Sequence, residues 1–436
     1  MMIDFETLYS WVKDLPIIDW HNHLDMRMLA EDKSLGSLYE VWVKSDPYKH
    51  RAMRICGEPE RLITGDAPED DKWAAWSRTL PKLVGNPIFA WARMELEWLG
   101  IEGQSHAETQ RRGEGEVPLL PQGTGNAKRW YEVENVSLAD WTPSKMLAKF
   151  GVEYMSPCVG AGELGSLEVG KFGSLEVGKC RSLEGETSEP LNLRTSKPLN
   201  LQPSIVPSLR MNAGDVVPEE TLEKFHAAGC RIVDISVDDV AQLLTLNAQL
   251  STVAAFAAAH GWTMLLHLGA LRETSARLRA AAGAAGGFAG MRAPVDPAAV
   301  SAFLNALEKA GSLPRTVLMS LNPEAHAQLA VLAGSFNGEG MPGKVQLGPA
   351  WWWCDHEEGI RDVLEKNAAY GVLSTFIGMT TDSRSLLSFV RHDYFRRILC
   401  KWVAEKVAAG VFPSDEALLR PMLENVCYRN AERMIK

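Results

Sequence analysis

The sequence predicts an α/β fold: a (β/α)8 barrel of the TIM type with a helical insertion after its first strand. Three observations predict it. Short apolar runs rich in Val, Ile, Leu and Met alternate with helical stretches along most of the chain. The runs are apolar throughout, as parallel strands covered on both faces require. Several of them end in His, Arg or Asp, and barrels place their sites at the C-terminal ends of their strands.

The first run is Pro16–Trp20. The second, Glu153–Pro157, is weak. Ser204–Leu209, Arg231–Ile235, Trp262–Leu266, Arg315–Ser320, Lys344–Leu347 and Ser374–Met379 complete a set of eight. Helical patterns follow most of them. Asp239–Ala259 comes after a pair of aspartates suited to capping, and Asp296–Ala310 opens on an Asp-Pro pair. Pro323–Leu332 and Glu357–Tyr370 read the same way. An open doubly wound sheet is the alternative arrangement of such units.

Two segments break the alternation. Residues 25–150 are helical and rich in Trp, Arg and Glu, so residues 1–24 hold an N-terminal helix and the first strand, 25–150 form the insertion, and 151–436 complete the barrel. Within the last part, at about 160–202, Gly-Ser-Leu-Glu-Val-Gly-Lys occurs at 165–171 and 173–179, and Pro-Leu-Asn-Leu at 190–193 and 198–201. So few copies do not make a solenoid, and the segment reads as an expanded surface loop without chemistry.

A chain of 436 residues, 46% hydrophobic and 23% charged, buries a large core. A net charge of −10 argues against nucleic-acid binding, and an anionic ligand must be held by local arginines. Seven cysteines without a C-x-x-C suggest neither a disulfide framework nor a zinc ribbon, and fit the reducing cytoplasm. No apolar run is long enough for a membrane span, and the first residues do not resemble a signal peptide.

His21-Asn22-His23 directly follows the first apolar run. Residues i and i+2 of a strand share a face, so two imidazoles can chelate one divalent cation. His267 ends the fifth strand, as a further ligand or as a satisfied core histidine. Asp382 follows the eighth. Closing a barrel brings the eighth strand beside the first, and hence Asp382 beside His21 and His23; alone, Asp382 would serve equally as a helix cap. Arg210, Asp234 and Trp351 end the third, fourth and seventh strands. Arg210 and Asp234 in such places are either pocket residues or a structural ion pair.

Longer strings carry a resemblance. His21-Asn-His23 with His267 and Asp382 resembles the amidohydrolase superfamily. Within it, Tyr48-Lys-His-Arg-Ala-Met-Arg54, Leu266-His267-Leu-Gly-Ala-Leu-Arg272, Lys344-Val-Gln-Leu-Gly-Pro-Ala-Trp351, Gly378-Met-Thr-Thr-Asp382-Ser-Arg384 and Arg391-His-Asp-Tyr-Phe-Arg-Arg resemble uronate isomerase, also called glucuronate isomerase. The resemblance implies interconversion of aldose and ketose forms of hexuronates: D-glucuronate with D-fructuronate, and D-galacturonate with D-tagaturonate. It implies one divalent metal, usually Zn2+, on His21, His23 and Asp382, with His267 at or beside it. Asp382, Tyr48, His267 and Asp234 take catalytic places. Arg210, Arg272, Arg384 and Trp351 take substrate places, and a homo-oligomer is compatible. Arginine suits a sugar carboxylate because its planar fork binds it bidentately.

This chain departs from the family pattern in three places. Cys158-Val-Gly stands where the family has Thr-Asp-Asp, Val233-Asp234-Ile235 where it has Ser-Asp-His, and Glu273-Thr-Ser follows Arg272 in place of asparagines. These departures bear on substrate preference, since the metal and arginine positions remain. The competing expectations are a metal-dependent hydrolase of the same superfamily and a barrel whose site has decayed to a scaffold.

Overall fold

The computed structural model describes residues 3–101, 130–164, 203–245, 247–338 and 340–436. The duplicated segment at 165–202, and with it the expected repeat loop, lies outside the described residues, as does 102–129 of the expected insertion.

Eight described strands form one curled sheet. In chain order they are β1 (Ile17–Asn22), β2 (Val152–Gly160), β3 (Ser204–Ile205), β4 (Ser208–Asn212), β5 (Ile232–Val237), β6 (Thr263–Leu268), then, after the short β7 (Ala270–Leu271) and β8 (Gly290–Met291), β9 (Arg315–Ser320) and β10 (Val345–Leu347). The spatial order is β1-β2-β4-β5-β6-β9-β10, with β3 also on β2, and every pair is parallel. β7 and β8 form a separate antiparallel ribbon. Helices such as Pro297–Lys309 and Glu357–Tyr370 return the chain between strands, as parallel pairing requires.

Three strand expectations need correction. The weak second run is the longest strand, nine residues. The expected third strand is divided into β3 and β4 around Val206-Pro207, because proline has no N–H for the ladder. The expected eighth strand is not a strand: Leu373–Thr375 is a 3-10 turn, and 376–382 runs without a ladder. Gly378 at φ +73° and Asp382 at φ +46° take this segment out of the extended region. It still occupies the eighth place. Ile377 N–H donates to the Gln346 side chain of β10 (3.0 Å), and Asp382 N–H and His23 N–H bond to His21 O (3.1 Å) and Ser383 O (2.8 Å). At β1 the expected shared face holds, since His21 and His23 both line the cavity, and the register against β2 shifts between Asp19 and Asn22. Ile18 and Trp20 pack in the barrel interior, whereas the next reactive residues, His21 and His23, face the cavity beyond it. Such an irregularity re-aims side chains at a barrel rim.

The interior takes Tyr154, Ile232, Leu265, Val317 and Met319 from successive strands, and Ala431 and Met434 of the C-terminal helix fill its lower end. A larger cluster packs the strands against the outer helices. Between β1 and β2 stand helices including Pro47–Ile55, Glu69–Thr79 and Pro87–Leu99. The first of these carries Tyr48. Asp46 caps it, and its other oxygen meets buried Lys49 at 2.7 Å.

Gly378 has no room for a side chain, since a Cβ there would lie 2.1 Å from Val426 O. Gly378→Ala is therefore expected to destabilise the fold by roughly 2–5 kcal/mol, combining the left-handed backbone with overpacking. A wild-type urea midpoint in that variant would show that the segment yields freely.

Candidate active site

A cavity of about 770 Å³ opens at the C-terminal ends of the strands. All ten site residues expected from the sequence line it: His21, His23, Tyr48, Arg210, Asp234, His267, Arg272, Trp351, Asp382 and Arg384. They come from β1, β4, β5, β6, the segments after β1, β6 and β10, the eighth position, and the helix Pro47–Ile55.

At its floor, Asp382 Oδ1 lies 3.1 Å from Nε2 of both His21 and His23. The imidazoles meet edge to face, their centroids 5.2 Å apart. Burial works against both imidazolium ions. For His21 the neighbouring Cys158, Asp382 and Asp234 outweigh it and hold the proton well above the usual range. For His23 burial wins over Asp382, and its pKa falls to about 4. Burial would raise the Asp382 carboxyl, but the two histidines hold it well below the ordinary range.

This floor fits a divalent cation. Two imidazole nitrogens and a carboxylate converge, and Asp382 Oδ2 and His267 Nε2 are both buried without a hydrogen-bond partner. His/carboxylate sets of this kind hold divalent metals, and a buried acceptor without a donor is costly unless something occupies it.

Asp234 ties the floor to the wall. Its Oδ1 accepts from Arg210 Nη1 (2.9 Å) and faces His267 Nδ1 (2.7 Å). With Nδ1–H donated to Asp234, neutral His267 turns a free Nε2 lone pair to the cavity. The residue is 1% exposed, and burial alone would raise its carboxyl; Arg210 and His267 hold it far below the usual range. Arg210 and Asp234 are thus an ion pair and cavity residues together. Trp351 packs edge-on against His267 at 4.5 Å.

Arg272 Nε donates to Asp238 (3.0 Å), and Nη2 of Arg272 and of Arg210 both donate to the Ser236 hydroxyl. Arg384 is exposed, and no side-chain partner for its guanidinium occurs among the described residues. Tyr48 stands against Trp353 and Trp91. Burial, then the charge of Asp382, raises its hydroxyl well above the ordinary tyrosine value.

The profile of the glucuronate isomerase family matches residues 3–110 and 245–435. The uronate isomerase of Caldicellulosiruptor bescii is 32% identical over 98% of this chain and 96% of its own. The chain belongs to the uronate isomerase family. The family's protein from Serratia proteamaculans is also 32% identical, over 97% of this chain and 94% of its own. In fold, the chain is similar to a crystal structure of the uronate isomerase of Thermotoga maritima, with a TM-score of 0.75 at 23% identity, covering all of this chain and 98% of that one.

Sequence reasoning gave no part in this cavity to three features, although it noted Cys158 as a departure and Arg391 within a resemblance string. Ser236 stands two residues after Asp234 on β5, and the shared strand face was an available signal. Cys158 Sγ lies 3.3 Å from His21 Nδ1, in the place where the family pattern has threonine. The buried pair Arg391–Asp355 (2.6 Å) reaches the site through Arg391 Nη2 on Thr381 O; only the folded chain brings these together.

Asp234→Ala leaves Arg210 without its counter-charge. The variant is expected to lose about 3–5 kcal/mol at pH 7. A carboxyl held below its unfolded value stabilises above roughly pH 4, and the effect is lost as pH falls toward the folded pKa. The gap between wild type and Asp234→Ala in urea unfolding should therefore narrow below about pH 4; a gap independent of pH would contradict the pairing.

Proposed function

We propose that this uronate isomerase family member interconverts D-glucuronate with D-fructuronate and D-galacturonate with D-tagaturonate, using one divalent cation, most simply Zn2+, on His21, His23 and Asp382. The observation that carries the reading is the shared Asp382 oxygen, 3.1 Å from both histidines, on the floor of a cavity whose wall includes Arg210, Arg272 and Arg384. An aldose–ketose isomerase moves a proton from C2 to C1 and a hydrogen between O2 and O1. It needs a base near C2, a proton carrier near the oxygens, and something to steady the enediolate.

The cation, when bound, supplies Lewis acidity toward the substrate oxygens. The chain's own residues do the rest. Asp382, ionised because two imidazoles face it, is the base at C2. Tyr48, kept protonated by burial and by the nearby Asp382 charge, carries the hydroxyl hydrogen between O2 and O1. His267 presents its free Nε2 to the same space, oriented by Asp234. Trp351 closes the wall behind that imidazole. Arg210 and Arg272 are partly committed to Asp234, Ser236 and Asp238, so they order the wall and offer remaining N–H groups to sugar hydroxyls. Arg384, uncommitted and at the mouth, takes the distal carboxylate as a bidentate fork.

No helix among the described residues is long and apolar enough to cross a membrane. The six described cysteines are free thiols, which suits a cytoplasmic enzyme.

Incubation with D-glucuronate and with D-galacturonate should yield the matching ketoses; formation of neither overturns the assignment. Exhaustive chelation should abolish turnover, and added Zn2+ should restore it. Tyr48→Phe is expected to lower kcat by about 10²–10⁴ with little change in stability. Turnover should show no alkaline loss from Tyr48 ionisation below about pH 10, because its proton is held more tightly than in free tyrosine. Arg384→Lys keeps the charge but loses the fork. A fall of about 10- to 100-fold in kcat/KM for the uronates is expected. Wild-type kinetics in that variant would place the carboxylate elsewhere.

A further inference from the structure

Asp19 lies on β1 two residues before His21, is 0% exposed, and is absent from the cavity wall. Four donors nevertheless converge on its carboxylate, joined by the Thr380 hydroxyl, whose one hydrogen also has His21 O within reach. Oδ1 faces Thr381 N–H (2.7 Å), the Thr380 hydroxyl (2.9 Å) and His392 Nε2 (3.2 Å). Oδ2 faces the Thr381 hydroxyl (2.8 Å) and Asn22 Nδ2 (2.9 Å). The residues it gathers flank the site: Asn22 sits between the two histidines, and Thr380 and Thr381 directly precede Asp382.

The backbone offers little else to hold that last segment. It has no ladder to β10, and Asp382 itself stands at φ +46°. The Thr380 hydroxyl accepts from His21 N–H (2.9 Å), so the same threonine reads the position of the histidine strand. From the other side Arg391 grips Thr381 O. Thr381 is therefore fixed at its N–H, hydroxyl and carbonyl, the first two by one carboxylate.

We infer that Asp19 is a positioning residue for the metal-binding set: its carboxylate, in place of strand pairing, fixes where Asp382 stands relative to His21 and His23. The inference rests on the reading of those three residues as the metal ligands. An acceptor-only group is what this place requires, because Thr381 N–H, the Thr381 hydroxyl, Asn22 Nδ2 and His392 Nε2 all approach as donors. An apolar residue would leave them unpaired. An asparagine would turn an amide N–H toward at least one donor.

The test is zinc affinity, read by competition with a chromogenic chelator, together with far-UV circular dichroism and melting of the metal-free proteins. Wild type should bind one zinc. Asp19→Asn should bind it about 10- to 100-fold more weakly while remaining folded, the range seen for groups that orient metal ligands from behind. Thr381→Val removes one donor from the clamp and should also weaken binding, whereas Thr381→Ser keeps the hydroxyl and should stay within about twofold of wild type. The threonine pair decides the matter should Asp19→Asn not fold. Folded Asp19→Asn with wild-type zinc affinity overturns the inference, as does equal binding by Thr381→Val and Thr381→Ser. A wild-type protein that takes up no divalent metal removes the ligand reading itself, and this inference with it.

Discussion

The seam between β1 and residues 380–383 carries a task that strand pairing carries elsewhere in the barrel. From β1 round to β10, every neighbouring pair is held by a parallel ladder. At the seam, threonine hydroxyls, a carboxylate and a few backbone bonds do the same work. A regular ladder would force 376–382 into an alternating extended strand. Freed from it, the chain adopts a left-handed turn at Asp382 that aims its carboxylate between two imidazoles. Strained backbone of this kind persists only where surrounding contacts over-determine it. The irregular seam is thus the condition for the floor of the cavity.

The cavity wall shows a second economy. A protein of net charge −10 gathers arginines at one opening and holds most of them with acids of its own. Asp234 and Asp238 hold Arg210 and Arg272, and Ser236 spaces them. Preorganised guanidinium groups lose less freedom when a ligand arrives. Arg384 stands outside this arrangement. The wall therefore holds two guanidinium groups fixed by carboxylates and one, Arg384, that no described carboxylate fixes.

Much of this was legible in the sequence. His21-x-His23 after an apolar run, and Arg210, Asp234, His267 and Trp351 at strand ends, identified the end of the barrel that holds the site. Closure logic placed Asp382 beside the histidines even though its carrier is not a strand. What stayed hidden has physical reasons. The register shift in β1 leaves no mark on composition, so the i, i+2 argument reached the right face without seeing the irregularity. Asp19 stands as one polar residue in an apolar run, because its partners other than Asn22 lie more than 350 positions away. Pro207 was visible but was not weighed as a divider of its strand. Gly378 was quoted only within a resemblance string, although its left-handed backbone explains why the eighth run does not pair.

His21 and Asp382 are 361 residues apart along the chain. A nascent chain emerging from the ribosome therefore carries the first two donors long before the third exists. Closing so long a loop is costly in entropy but only logarithmically so, and the larger delay is in time. Until residues near 380 and the helix Val390–Ala408 have been made, β1 lacks its neighbour on one side and presents an open edge. The floor of the cavity is therefore completed late, after most of the strands of the barrel already have their partners.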